Sequence, residues 1–224
     1  KEADLRQRYR ELDAPLTNYL LGLARSRAGE AALPADWDWS QDWETNRQSG
    51  ALPSTALLRA GRMGITLLLP LSMLLLFLAG QRVGGLCTGL LAAILLGSSA
   101  LVLLHGRRAM AEGPLVLGVC LAVWSFVEGD RRPWLAGLGA ALAFNAKQSA
   151  LALFPVGLLA VCWLPAATES RARPLLRNLG SYLGVFALLT FVLNPLWWNN
   201  PINALRASWM ARQELLAKQI NNTA

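Results

Sequence analysis

The chain has 224 residues, of which 54% are hydrophobic and only 16% charged, against about a quarter charged in an ordinary soluble domain. Residues 63–106 contain a single formal charge, Arg82, and runs this apolar have too little polar surface to face water. The net charge of +7 does not mark a nucleic-acid binder, because the basic residues lie in short clusters between apolar stretches rather than in one run.

Residues 1–25 read as an amphipathic helix. Leu12, Leu16, Tyr19, Leu20 and Leu23 recur at helical spacing opposite Arg6, Arg10 and Asp13. An interfacial helix and an ordinary surface helix both fit this pattern. Pro15 either interrupts the helix or opens a new one. Residues 26–55 are loop-like, with Gly29, Pro34, Gly50 and Pro53. Within them, Trp37, Trp39 and Trp43 interleave with Asp36, Asp38 and Asp42, which fits a headgroup-level anchor or one wall of a polar pocket.

The apolar segments follow at Arg62–Gly80, Gly84–His105 and Glu112–Val127. Residues 133–164 would make one helix about 48 Å long, well beyond the hydrocarbon thickness. The run is therefore split near Lys147 into 133–147 and 149–164. The last segment is Arg177–Trp198. The expected fold is all-α, a polytopic transmembrane bundle of about six spans over 62–198. An extracytoplasmic amphipathic loop, 1–61, precedes it, and an extracytoplasmic amphipathic segment, 199–224, follows.

The connectors carry the orientation. Arg82, Arg131, Arg132, Arg171, Arg173 and Arg177 fall on one side, and Arg107, Arg108 and Lys147 on the other. The positive-inside rule makes the first side cytoplasmic. The other side then gathers Asp13, Arg62, Arg107, Arg108, Glu112 and Lys147 at or near helix ends. Each has an ordinary reading: Arg108 and Glu112 pair at i, i+4, and Arg62 and Lys147 snorkel to headgroups. Taken together, four cations with few acids form a candidate site for an anion such as phosphate.

Cys87, Cys120 and Cys162 lie singly in apolar runs and fit neither a metal spacing nor a disulfide framework. His105 is the lone histidine, so no metal site is expected, although a divalent cation is left open. Asn221-Asn222-Thr223 matches a glycosylation sequon too short to carry weight.

Several stretches resemble the GT-C membrane glycosyltransferases, and among them the protein O-mannosyltransferase and aminoarabinose-transferase group. Asp13-Ala14-Pro15-Leu16-Thr17-Asn18-Tyr19-Leu20-Leu21-Gly22-Leu23 is similar to the D-x-P-L-x-x-Y-L-x-G-L stretch of that family's first external loop. Arg62 and the helix ending Ala79-Gly80-Gln81-Arg82-Val83-Gly84-Gly85 resemble its next helix. Arg107-Arg108-Ala109-Met110-Ala111-Glu112 resembles S-R-x-A-M-x-D/E, and Ala143-Phe144-Asn145-Ala146-Lys147 resembles the G-L-A-x-x-T-K helix end. Asn194-Pro195 to Pro201 resembles a further loop of bacterial members.

The resemblance implies a multi-pass enzyme of the cell (inner) membrane that moves a sugar from a polyprenyl-phosphate carrier to an acceptor on the extracytoplasmic face. Arg62, Arg107, Arg108 and Lys147 would bind the lipid phosphate, and Glu112 would orient an arginine or touch the sugar. The family's catalytic acid follows a first helix that this chain does not contain. Asp13 is then the candidate base, or the base lies upstream of Lys1 in a longer protein. A non-catalytic accessory subunit of a larger membrane complex is the second reading and a transporter the third. The implied partners are membrane lipid, the lipid-linked sugar donor, an acceptor and other membrane subunits.

Overall fold

A computed structural model describes residues 14–38, 40–128, 132–163 and 172–223. No strand occurs among them.

Helix α1, Pro15–Arg27, begins at the proline, whose missing N–H costs nothing in a first turn. The region read from sequence as loop contains a short helix, α2, Trp43–Gln48, capped by Asp42 accepting from the Thr45 N–H at 2.8 Å. The buried Asn46 knits this loop together, donating to the carbonyls of Asp38 and Asp42 and accepting from the Asp38 N–H. Trp37 and Trp43 pack with ring centroids 5.6 Å apart.

Helix α3, Thr55–Thr66, starts seven residues before the expected Arg62, because Ser54 supplies an N-cap to the Leu57 N–H. Helix α4, Leu68–Ser98, is two arms joined at Gly84 and Gly85, where Gly85 takes φ 79°. The arms run antiparallel and nearly touch: a Cβ on Gly80 would lie 2.9 Å from the Gly89 Cα, and one on Gly89 would lie 2.6 Å from the Phe77 carbonyl oxygen. Only glycine permits this approach. The expected segment 84–105 breaks again at Ser99, which caps α5, Ala100–Gly106.

Helix α6, Glu112–Val127, packs against α7, Pro133–Ala146, and α7 against α9, Ala172–Leu193. A Cβ on Gly118 would sit 2.5 Å from the Ala143 nitrogen, and one on Gly139 would sit 2.6 Å from the Ala122 nitrogen. These reciprocal contacts fix an antiparallel register with the backbones close together. Helix α7 is the most buried element, with Ala136, Ala140, Ala141 and Ala143 sealed from solvent. Tyr182 of α9 and Val161 of α8, Leu153–Trp163, complete the core.

The run 133–164 divides at Lys147, which is extended at φ −152°, followed by the 3-10 turn Gln148–Ala152 and then α8. A second 3-10 turn, Pro195–Trp197, leads into α10, Pro201–Thr223.

Two helical stretches are long and apolar enough to cross a membrane, Thr55–Ser98 and Leu175–Leu193. The expected six spans are not reached on this measure. Glycine and proline breaks cut the apolar sequence into shorter helices, such as the 16-residue α6. The outside of the bundle is nonetheless oily. Leu86, Leu90, Leu91, Ile94 and Leu95 of the returning α4 arm are all exposed.

Candidate functional site

The register of α6 against α7 brings the first residue of one opposite the residue that ends the other. Glu112 stands in the first turn of α6, where the helix dipole favours an acid. Lys147 stands in the extended break after α7. Its Nζ donates to Glu112 Oε1 at 2.9 Å. The second carboxylate oxygen, Oε2, is buried and accepts no hydrogen bond among the described residues.

The pair lies on the wall of a cleft of about 440 Å³. Helix α1 contributes Thr17 and Asn18, the link before α6 contributes Ala109 and Met110, and the turn after Lys147 contributes Gln148 and Ser149. The Thr17 hydroxyl is also buried without a partner among the described residues. Arg212 of α10 reaches the same cleft and donates to Gln148 Oε1 at 2.5 Å.

Two smaller cavities adjoin it. One, of about 110 Å³, is lined by apolar side chains including Ile65, Leu69, Leu101, Val102 and Val116, and shares Glu112 with the cleft. The other, of about 120 Å³, shares Gln148 and is lined by Asn145, Asn194, Trp197 and Ser208. Asn194 donates to Asn145 Oδ1 at 2.5 Å and to the Thr190 carbonyl at 2.6 Å, and so ties the end of α9 to α7.

Of the residues singled out from sequence, the structure joins Glu112 and Lys147. Glu112 therefore meets a lysine and not the expected arginine: the i, i+4 partner Arg108 lies in the non-helical link before α6, so helical spacing does not apply to it. Arg62 and Arg108 are exposed and form no ion pair among the described residues, and Arg107 turns back to donate to the Leu103 carbonyl at 3.2 Å. None of these three arginines lines the cleft. They are near it all the same: the α3 face at Gly61 packs against Leu21 of α1 and Ala109 of the link. Asp13 lies outside the described residues, and its chain neighbour Ala14 lines the cleft.

Sequence reasoning missed Thr17, Gln148 and Arg212. Gln148 follows Lys147 directly and was legible as part of the same helix end. Nothing in the spacing of Arg212 separated it from other charges on its helix. Among the described residues, no three His, Cys, Asp or Glu side chains are grouped as a metal site.

The opposite end of α6 carries a second ion pair. Arg82, near the tip of α4, holds Glu128 through two bonds, Nε to Oε1 at 2.8 Å and Nη2 to Oε2 at 3.3 Å. Arg132 lies at the same end, with its guanidinium 5.5 Å from the Trp124 ring centroid. Arg82 and Arg132, grouped on one side from sequence, thus share one end of α6, while Lys147 sits at the other.

The structure defines the class as a helical bundle with an apolar exterior, two stretches long and apolar enough to cross a membrane, and an ion-paired polar cleft at one edge. The family follows from comparison with known proteins. The model for dolichyl-phosphate-mannose-protein mannosyltransferase matches residues 6–206, nearly the whole chain, and the chain belongs to that family. No curated protein and no solved structure matches it. The family uses a polyprenyl-phosphate-linked sugar as donor, which agrees with the resemblance of the sequence motifs.

Proposed function

We propose that the cleft receives the phosphate–sugar head of a polyprenyl-phosphate-linked sugar, and that the sugar passes to an acceptor on the extracytoplasmic face. The observation that carries this reading is the Lys147–Glu112 pair on the cleft wall, with one carboxylate oxygen left unpartnered. A buried acceptor without a donor is costly, and a sugar hydroxyl would relieve it. Lys147 would offer its remaining N–H donors to the phosphate. The apolar cavity that shares Glu112 would take the first prenyl carbons.

The chemistry has three demands. The acceptor hydroxyl loses a proton to a carboxylate, for which Asp13 is the candidate in this chain. The acceptor oxygen bonds to the anomeric carbon as its bond to the phosphate oxygen breaks, through an oxocarbenium-like state. The electron pair leaves with the lipid phosphate, which fixed cations stabilise. Arg62, Arg107 and Arg108 fit an outer ring that draws the anionic head toward the cleft.

The short apolar helices fit a bundle of about six crossings, with Arg82, Arg131 and Arg132 cytoplasmic. An impermeant thiol reagent tests that side: a cysteine placed at Ser170 should label only from inside. The function is tested with the full chain in nanodiscs, a prenyl-phosphate mannose and a hydroxyl-bearing peptide. Transfer of mannose is the expected result. An absence of donor binding would overturn the donor-site reading and make the accessory subunit the better one, and donor binding without transfer would leave the donor site standing without catalysis.

A further inference from the structure

The family match ends at residue 206, and α10 continues to Thr223. The portion beyond the match supplies Ser208 to the amide-lined cavity and Arg212 to the main cleft. Arg212 is half-buried, and it donates to a neutral amide oxygen, Gln148 Oε1, at 2.5 Å. A guanidinium has five N–H donors, and no carboxylate partners this one among the described residues. Lys147 in the same cleft is already matched by Glu112. Among the described residues the cleft wall therefore holds two cations, Lys147 and Arg212, and one carboxylate, Glu112, which Lys147 already engages.

Leu205, Trp209 and Met210 are also exposed on α10, flanking the side that carries Ser208 and Arg212. In a membrane protein, such a face beside a polar edge lies in the interface, with the tryptophan at headgroup depth. The bond to Gln148 is what directs Arg212 into the cleft.

We propose that Arg212 is a ligand-binding residue that clamps the phosphate of the lipid-linked donor against Lys147, with α10 as the strap that carries it. This rests on the donor-site reading above. The planar guanidinium can meet two phosphate oxygens at once, and Lys147 adds a point charge beside it.

The test uses the full chain in nanodiscs and two probes, farnesyl phosphate and the uncharged farnesol. Arg212→Met should weaken farnesyl phosphate about tenfold or more, as expected for a lost charge-assisted hydrogen bond, and leave farnesol unchanged. Arg212→Lys should recover part of the loss. Arg206→Met, an exposed cation on the same helix, should bind both probes as the parent does. Equal weakening of both probes by Arg212→Met would mean a structural role and overturn the proposal. Full phosphate affinity in Arg212→Met, with loss in Lys147→Met, would overturn the proposal while the donor site stands. Full affinity in both variants would remove the donor-site reading itself.

Discussion

Helix α6 ends in an ion pair at each terminus, and the two pairs are built differently. At the Glu128 end, Arg82 grips both carboxylate oxygens, and the acid sits where the helix dipole disfavours it. The bidentate bond offsets that placement and closes the tip of α4 onto the bundle. At the Glu112 end the dipole already favours the acid, yet only one oxygen is bonded and the other is sealed and idle. One end satisfies its acid and has nothing left over. The other holds unused bonding capacity beside a cleft, which is what a binding site needs and a structural clamp does not.

That contrast can be broken by substitution. The largest effect should come from Lys147→Met, which removes a charged hydrogen bond to ligand. Donor affinity should fall by about 1.5–3 kcal/mol, measured by titration in nanodiscs. The charge-swapped pair Glu112→Lys with Lys147→Glu should keep the fold but not recover that affinity, since the cation would face the wrong wall. At the other end, Arg82→Met should lower stability only modestly, because Arg82 is 63% exposed and solvent screens the pair. A melting shift of a few degrees, about 0.5–1 kcal/mol, is expected, with donor affinity unchanged. Loss of donor affinity in Arg82→Met would erase the distinction between the ends.

The smallest effect lies in the loop ahead of α3. The Thr45 hydroxyl and N–H beside Asp42 hold its carboxyl below the ordinary carboxylate range. A depressed folded pKa contributes stability above the unfolded value, near 3.9, and that contribution is lost as pH falls through the folded value. The capping of α2 should therefore persist at neutral pH and fail only in acid below about pH 4. The Thr45 amide resonance should shift over that range, and Asp42→Asn should flatten the shift.

The helical class was legible because residues 63–106 hold one formal charge and no polar face. The break at Lys147 was legible from length alone, since an unbroken 133–164 helix overruns the bilayer. Other breaks were not. Nothing in apolar periodicity marks Leu67, which separates α3 from α4 with no side-chain cap, or Ser99, whose side chain caps α5. At the site, Glu112 and Lys147 were readable as charges at helix ends, but their pairing depends on the α6–α7 register, which Gly118 and Gly139 set by backbone contact. The arginines looked equivalent to Lys147 because sequence gives the side of the bundle and not the direction of a side chain. The local roles of the aspartates between the tryptophans were not legible: Asp38 accepts from the Ser40 N–H and hydroxyl, and Asp42 from the Thr45 N–H, as turn and cap residues.

The glycine pair at the tip of α4 has a reach beyond its own turn. Its two arms total 31 residues, and joined straight they would form a rod about 46 Å long. Folded at Gly84 and Gly85, the chain instead returns to the side it came from. In the proposed bundle every later crossing inherits that parity, so these two residues would decide which face of the membrane Lys147 meets. A side chain forced in at Gly85, where φ is 79°, could therefore misdirect a site more than sixty residues downstream without touching any atom of it.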